Sequence, residues 1–245
     1  MERIINKVLR YFLSENKIWE IKNKHNVPSM EWSLMNIKKL GFEPRMVIDV
    51  GAFNGEWTEM FKNIFPSSKV LMIEGQASKK DDLSRVSAKF PGTKFQIALL
   101  GSEKNKEVTF HVNATVSSVL EEYKSNSFKT ETRRLELLDD IFKEQNEPEL
   151  PNFIKLDVQG YELEILKGSS KILESVEFIL CEVSLIEINK NCPLLGDVVK
   201  FMDDIGFVCY DICSFIRRPL DRALWQTDIL FIKKGHILGQ NKHWN

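Results

Sequence analysis

From Met46 onward the chain alternates short, nearly continuous apolar runs with longer stretches of helical period. That alternation limits the fold more than any other feature, because it is the pattern of βαβ units stacking a parallel sheet between helices. The apolar runs predict strands at Met46–Val50, Lys69–Glu74, Phe95–Leu99, Phe153–Asp157, Glu177–Val183, Phe207–Ile212 and Trp225–Lys233. Helices are predicted at Glu56–Ile64, Lys79–Lys89, Tyr161–Leu173 and Leu194–Ile205. Strands apolar along their whole length need cover on both faces, so helices are expected on each side of the sheet.

Two stretches break the rhythm. Glu107–Val112 alternates like a hairpin strand, and Asn113–Glu131 is polar enough to be a loop over a site. Arg133–Phe142 then reads as an extra strand turning into a short helix at Leu137-Leu138-Asp139-Asp140. Ahead of the first strand, Ile4, Val8, Leu9, Tyr11, Phe12 and Leu13 suggest one amphipathic helix. Trp32, Leu34, Met35, Ile37 and Leu40 suggest a second, which Gly41 ends three residues before Pro44. Residues 1–44 are expected to form a helical cap on a single domain of residues 45–245.

Composition removes several classes of function. With 245 residues, 43% of them hydrophobic, the chain can bury a large core without a disulfide or metal staple. Its 34 Lys and Arg nearly cancel its 35 Asp and Glu, so no field favours a nucleic acid across the whole surface. Cys181, Cys192, Cys209 and Cys213 include no Cys-x-x-Cys pair and read as buried thiols. No run of about 18 apolar residues is present to span a membrane, and no secretory leader is visible. The cytoplasm is the default compartment, and a homo-oligomer is left open.

In an open parallel sheet, ligands bind outside the carboxyl ends of the strands. The first strand ends in Asp49-Val50-Gly51-Ala52-Phe53-Asn54-Gly55, two glycines four apart between strand and helix. This is not the dinucleotide spacing, and Asp49 just ahead of it would repel a pyrophosphate. A ligand carrying an ammonium and a sulfonium would accept that charge, and S-adenosyl-L-methionine is such a ligand. Glu74 closes the second strand 25 residues after Asp49 (74 − 49), near the roughly 20 at which an acid meets a ribose diol. Asp157 ends the Phe153 strand, and Glu182 lies near the end of the next. The pair could act as a base, hold a cation or share a divalent ion; Lys155 and Glu182 could equally form a structural ion pair.

Together the glycine loop, Glu74 and the run Lys155-Leu156-Asp157-Val158-Gln159-Gly160-Tyr161-Glu162 resemble the FkbM family of methyltransferases. Gly41-Phe42-Glu43-Pro44, Ser117-Ser118, Leu138-Asp139, Gly168 and Glu182 extend the resemblance, which covers the chain from about Gly41 to Lys233. It implies a Rossmann-like class I fold, with a seven-stranded, mostly parallel sheet and helices on both faces. It also implies methyl transfer from S-adenosyl-L-methionine to a hydroxyl of a sugar, glycan or related small molecule, leaving S-adenosyl-L-homocysteine. The cofactor residues it suggests are Asp49, Gly51, Ala52, Phe53, Asn54, Gly55, Glu74, Gly75, Ala98, Ser118 and Asp157. Candidate bases are Asp157, Glu182 and His111, with a metal requirement open. Phe53 and Gln159 depart from the expected smaller residue and Glu. An NAD-type oxidoreductase, a nucleic-acid methyltransferase and a non-catalytic Rossmann module are the alternatives. The first lacks its glycine pattern, the second an Asn/Asp-Pro-Pro-aromatic turn or Pro-Cys nucleophile, and fold alone does not exclude the third.

Overall fold

A computed structural model describes residues 27–112, 117–121, 123, 129–187 and 189–243. The helix expected around Ile4–Leu13 and part of the expected 113–131 loop lie outside these residues.

The first described helix, α1 (Met30–Lys39), is capped by Ser29 Oγ accepting from Trp32 N at 3.4 Å. The main sheet combines β1 (Met46–Val50), β2 (Lys69–Glu74), β3 (Thr93–Ile97), β7 (Phe153–Leu156), β8 (Phe178–Ser184), β9 (Phe207–Ile212), β10 (Ile216–Arg217) and β11 (Leu224–Lys233). Its strand order is β10-β11-β8-β7-β1-β2-β3, with β9 also pairing β11. The pairs β3/β2, β2/β1, β1/β7 and β7/β8 are parallel, whereas β11 runs antiparallel to β8, β9 and β10. This is the mostly parallel α/β sheet expected, with the two-residue β10 as an added edge.

Period-2 alternation sorts the sheet into two cores. Met46, Ile48 and Val50 of β1 join Ile154 and Leu156 on one face, against Leu163, Ile165 and Leu166 of α5 (Glu162–Lys167). Val47 and Phe153 join the other face, against Phe61 of α2 (Glu56–Ile64) and Leu34 and Ile37 of α1. Trp57, Phe61 and Phe153 stack there with centroids 4.8 to 6.1 Å apart. Helix α3 (Lys80–Lys89) continues that layer with Leu83 and Val86, after a 3-10 turn at Ala77–Lys79.

A second sheet of three short strands, ordered β4-β6-β5, stands over the carboxyl ends of the first. It consists of β4 (Leu99–Leu100), β5 (Glu107–Val112) and β6 (Lys129–Glu136). β6 begins at Lys129, inside the stretch expected to be loop, because residues 129–134 pair one by one with Glu107–Val112, and Leu135 and Glu136 go on to pair with β4. It leads into α4 (Leu138–Glu144) as expected.

Two other expectations are corrected. The predicted Tyr161–Leu173 helix is two helices, α5 and α6 (Ser170–Leu173), parted at Gly168-Ser169. A side chain at Gly168 would sit 2.2 Å from the Gly101 carbonyl oxygen, so the chain approaches its neighbour too closely there for a regular helix surface. Cys181, Cys192 and Cys213 are buried, but Cys209 is exposed because β9 lies at the sheet margin. Helix α7 (Leu195–Asp204) precedes β9.

Candidate active site

The carboxyl ends of β1, β2 and β7 meet the small sheet around one cavity. Among its lining residues are Gly51, Phe53, Glu74, Gly75, Ala98, Ser118 and Asp157 from the expected set. Asp49, Ala52, Asn54, Gly55, His111 and Glu182 do not line it. The roof comes from Phe110 of β5 and Val119, which no sequence motif announced, together with Tyr161 of the Lys155 run.

The glycine loop is shaped by what it passes. Gly51 adopts φ +75, and a Cβ there would lie 1.9 Å from the Asp157 carbonyl oxygen. Only glycine lets β1 and β7 deliver their ends so close together. Phe53 also holds a left-handed φ of 48, and its N–H donates to Glu74 Oε2 at 2.8 Å. The Lys79 ammonium sits 3.6 Å from the Phe53 ring centroid and donates to Asn54 Oδ1 at 2.9 Å, pinning the loop from outside.

Glu74 is buried at the end of β2, and its other oxygen accepts from Gln76 N at 2.8 Å. Burial raises its pKa; the two backbone donors and Lys155 oppose that rise, while Asp49 adds to it.

Asp49 and Lys155 are register partners across β1 and β7, and alternation turns both toward α2. Lys155 Nζ therefore lies 3.3 Å from Asp49 Oδ1, an ion pair without hydrogen-bond alignment, while Thr58 of α2 donates to Asp49 Oδ2 at 2.7 Å. Lys155 also stands 3.4 Å from Asp157 and donates to the Gly51 carbonyl at 3.1 Å. Burial works against its charge, but Asp157 and Asp49 more than offset this and raise its pKa. Of the readings left open for Lys155, an ion pair with Glu182 is not the one formed: its partners are Asp49 and Asp157. Lys155 faces Leu180 across β8, and Glu182 lies two residues farther along.

Glu182 belongs to a different group. Asp157 follows Leu156, whose partner is Cys181, and Asp228 is the register partner of Glu182. Three acids therefore form a row across β7, β8 and β11. The Gln159 amide spans the first two, donating to Glu182 Oε2 at 2.8 Å and to Asp157 Oδ1 at 3.2 Å. Gln159 reaches them from φ 61, and its carbonyl accepts from Ser118 Oγ at 3.1 Å and Asn189 Nδ2 at 2.7 Å. Burial first, then Asp157, Glu162 and Asp228, push the Glu182 pKa well above the ordinary carboxylate value. Burial likewise raises Asp228, which accepts from Ser214 Oγ at 2.5 Å. Behind the row, Glu162 is buried, accepts from Val158 N at 3.0 Å and Gly160 N at 3.1 Å, and is pushed up to about 7 by burial. His111 sits in β5 as expected, its backbone bridged to Ser118. Among the described residues, no group of three or more His, Cys, Asp or Glu is arranged to hold a metal ion.

The site-bearing segments coincide with a known domain: the sequence model of the FkbM methyltransferase domain matches residues 49–209, well over half of the chain. The chain belongs to the FkbM methyltransferase family. It is similar to a hexuronic acid methyltransferase, AglP, from Haloferax volcanii, being 27% identical over 148 residues. That match takes in 58% of this chain and 61% of AglP, so the chain spans about three fifths of that relative's length. The fold is similar to the crystal structure of methyltransferase FkbM from Methylobacillus flagellatus KT, with TM-score 0.50 and 20% identity. That likeness covers 77% of this chain and 43% of the other.

Proposed function

We propose that this cleft binds S-adenosyl-L-methionine and that the protein transfers its methyl group to a hydroxyl oxygen of a sugar or glycan, releasing S-adenosyl-L-homocysteine. Glu74 carries the reading. It is a buried carboxylate at the tip of β2, beside the glycine loop, held by the backbone N–H groups of Phe53 and Gln76. Each oxygen has accepted one hydrogen bond and keeps a further lone pair, the donor-accepting geometry a ribose diol requires.

The other residues fit the same ligand. At Gly51 the backbone stands where any side chain would collide, which gives a ligand close approach to the loop. Asp157, with 37% of its side chain exposed, offers negative charge to a cationic methionine end. When bound, the cofactor supplies an electrophilic methyl on a positively charged sulfur. Lys155 orients Asp157 from below, while Asp49, Ala52, Asn54 and Gly55 shape the loop from behind the wall. Phe110, Val119 and Tyr161 exclude water from above. Glu182 Oε2 or Asp157 Oδ1, held apart by the Gln159 amide, takes the acceptor's hydroxyl proton. Glu182 and His111, the other candidate bases, both stand outside the cavity lining, but Glu182 is tied to the lining residue Asp157 through the Gln159 amide. Kinship with a hexuronic acid methyltransferase supports a sugar-type acceptor.

The test is incubation with methyl-labelled S-adenosyl-L-methionine and a panel of neutral sugars, uronic acids and nucleotide sugars, with calorimetric titration of S-adenosyl-L-homocysteine. Label should pass to at least one acceptor, and Glu74→Gln should weaken the calorimetric Kd about tenfold, or ~1.4 kcal/mol. Tight NAD binding with no S-adenosyl-L-homocysteine binding would overturn the reading in favour of an oxidoreductase.

A further inference from the structure

Away from the cleft, large exposed apolar side chains concentrate along one margin of the main sheet. Val208, Ile212, Phe215, Ile216 and Leu220 are all exposed there, Phe215 by 51% and Leu220 by 79%. Val27, also exposed, joins Trp32, Tyr210, Ile212 and Phe215 in lining an adjoining groove of about 570 Å3. Isolated apolar residues are ordinary on a protein surface, but Val27, Ile212 and Phe215 share one groove, and apolar side chains grouped in this way mark a contact surface. Basic residues are interleaved with the cluster. Across residues 208–224 Arg217, Arg218 and Arg222 stand against Asp221 and Asp211, the latter lining the groove, a net +1 (3 − 2) in a chain of net −1. Arg218 grips Asp221 at 2.8 and 2.6 Å, and Arg217 donates to the Arg222 carbonyl at 2.9 Å, so the β10–β11 turn is internally braced.

The turn also has a defined place relative to the cleft. β11 enters the sheet with Gln226 opposite Ser184, at the carboxyl end of β8, and Arg217 pairs Leu224 beyond it. The turn therefore projects past the same strand ends that carry the cavity. Two strand spacings, about 10 Å, separate β11 from β7 and its Asp157. At the root of this arm, Ser214 is bonded to Asp228 of the acid row.

An apolar surface with some negative charge complements this margin, where Arg218 is already paired with Asp221 and Arg217 and Arg222 leave a small positive excess. A second copy meeting it about a two-fold axis would bring the same arginines face to face. The segment of residues 1–26, which joins the described chain at Val27, carries six Lys and Arg against three Glu, a net +3 (6 − 3), and is of the same sign. A bilayer rich in anionic lipid satisfies both demands, since apolar side chains enter the interface while guanidinium groups meet phosphates. No described helix is long and apolar enough to cross a membrane, so such contact would be peripheral. We propose that this edge seats the protein on an anionic membrane surface through Phe215, Ile216, Leu220 and the neighbouring arginines. The cleft mouth then faces acceptors presented at that surface.

The proposal is tested by co-sedimentation of the full chain with vesicles of phosphatidylcholine alone or of phosphatidylcholine and phosphatidylglycerol at about 7:3, a readout that needs no turnover. The chain should partition to the anionic vesicles and release as salt rises. Phe215→Ser with Leu220→Asp should lower the partition at least about tenfold, and Arg217→Gln about fivefold. Both sites are exposed, and an unchanged Tm would show that the variants are folded. Equal sedimentation of wild type and the double variant, or no sedimentation with either composition, overturns the proposal. So does a dimer in sedimentation velocity that the double variant disperses, because the margin would then be an interface between copies.

Discussion

Glu74 and Glu182 are the same residue type at the carboxyl ends of two strands of one sheet, yet their surroundings differ in kind. Each oxygen of Glu74 receives a backbone N–H, and Lys155 adds positive charge nearby. Glu182 has a shared amide hydrogen bond from Gln159 and three other carboxyl groups around it. Burial raises both, but fixed donors oppose the rise on the β2 side and like charges reinforce it on the β8 side. The β2 side thereby favours a charged carboxylate ringed by donors, and the β8 side a carboxyl that resists ionisation.

The comparison breaks first at the seam between the two sides. Gly51→Ala forces a Cβ against the Asp157 carbonyl at a left-handed φ, so it should cost about 4 kcal/mol in urea unfolding and abolish S-adenosyl-L-homocysteine binding. A variant as stable as the wild type would show that the two sides tolerate separation.

A somewhat smaller effect is expected behind the acid row. Burial raises Glu162 from 4.5 in an unfolded chain to about 7, so its stabilising contribution is complete below pH 4.5 and is lost as pH climbs through 7. That loss is about 3 kcal/mol. Glu162→Gln, which keeps an oxygen for the Val158 and Gly160 N–H groups, should flatten denaturation midpoints between pH 4.5 and 8. An unchanged pH profile would place the titration elsewhere.

Next comes turnover itself. If Glu182 takes the acceptor proton, its raised pKa makes kcat climb with pH as the carboxyl ionises. Glu182→Gln should lower kcat about 100-fold, flatten that climb and leave the S-adenosyl-L-homocysteine Kd unchanged. A variant weakened in Kd rather than kcat would erase the division between the β2 side and the β8 side.

Much of the scaffold was legible from local pattern. Apolar runs gave β1, β2 and β9 at their observed limits, and helical period with a preceding glycine gave α2. The Gly51 bend and the position of Glu74 at a strand end were equally readable, because they depend on residues adjacent in sequence. The extra strand was expected only from Arg133; β6 starts at Lys129 because its polar, alternating first half becomes a strand only through pairing with β5. The partner of Lys155 stayed open in the sequence for a related reason: which acid it meets depends on register across three strands.

Periodicity and glycine placement by themselves determined an α/β sheet with its chemistry at the strand tips, because backbone conformation and face selection are local properties. Only the tertiary structure decided which tips act together. It set Asp49 beneath the cavity, aligned Asp157, Glu182 and Asp228 in one row, and roofed the cleft with Phe110. Those outcomes follow from strand order and register, which set Asp228 opposite Glu182, 46 positions away (228 − 182), and let Lys155 reach the Gly51 carbonyl, 104 positions away.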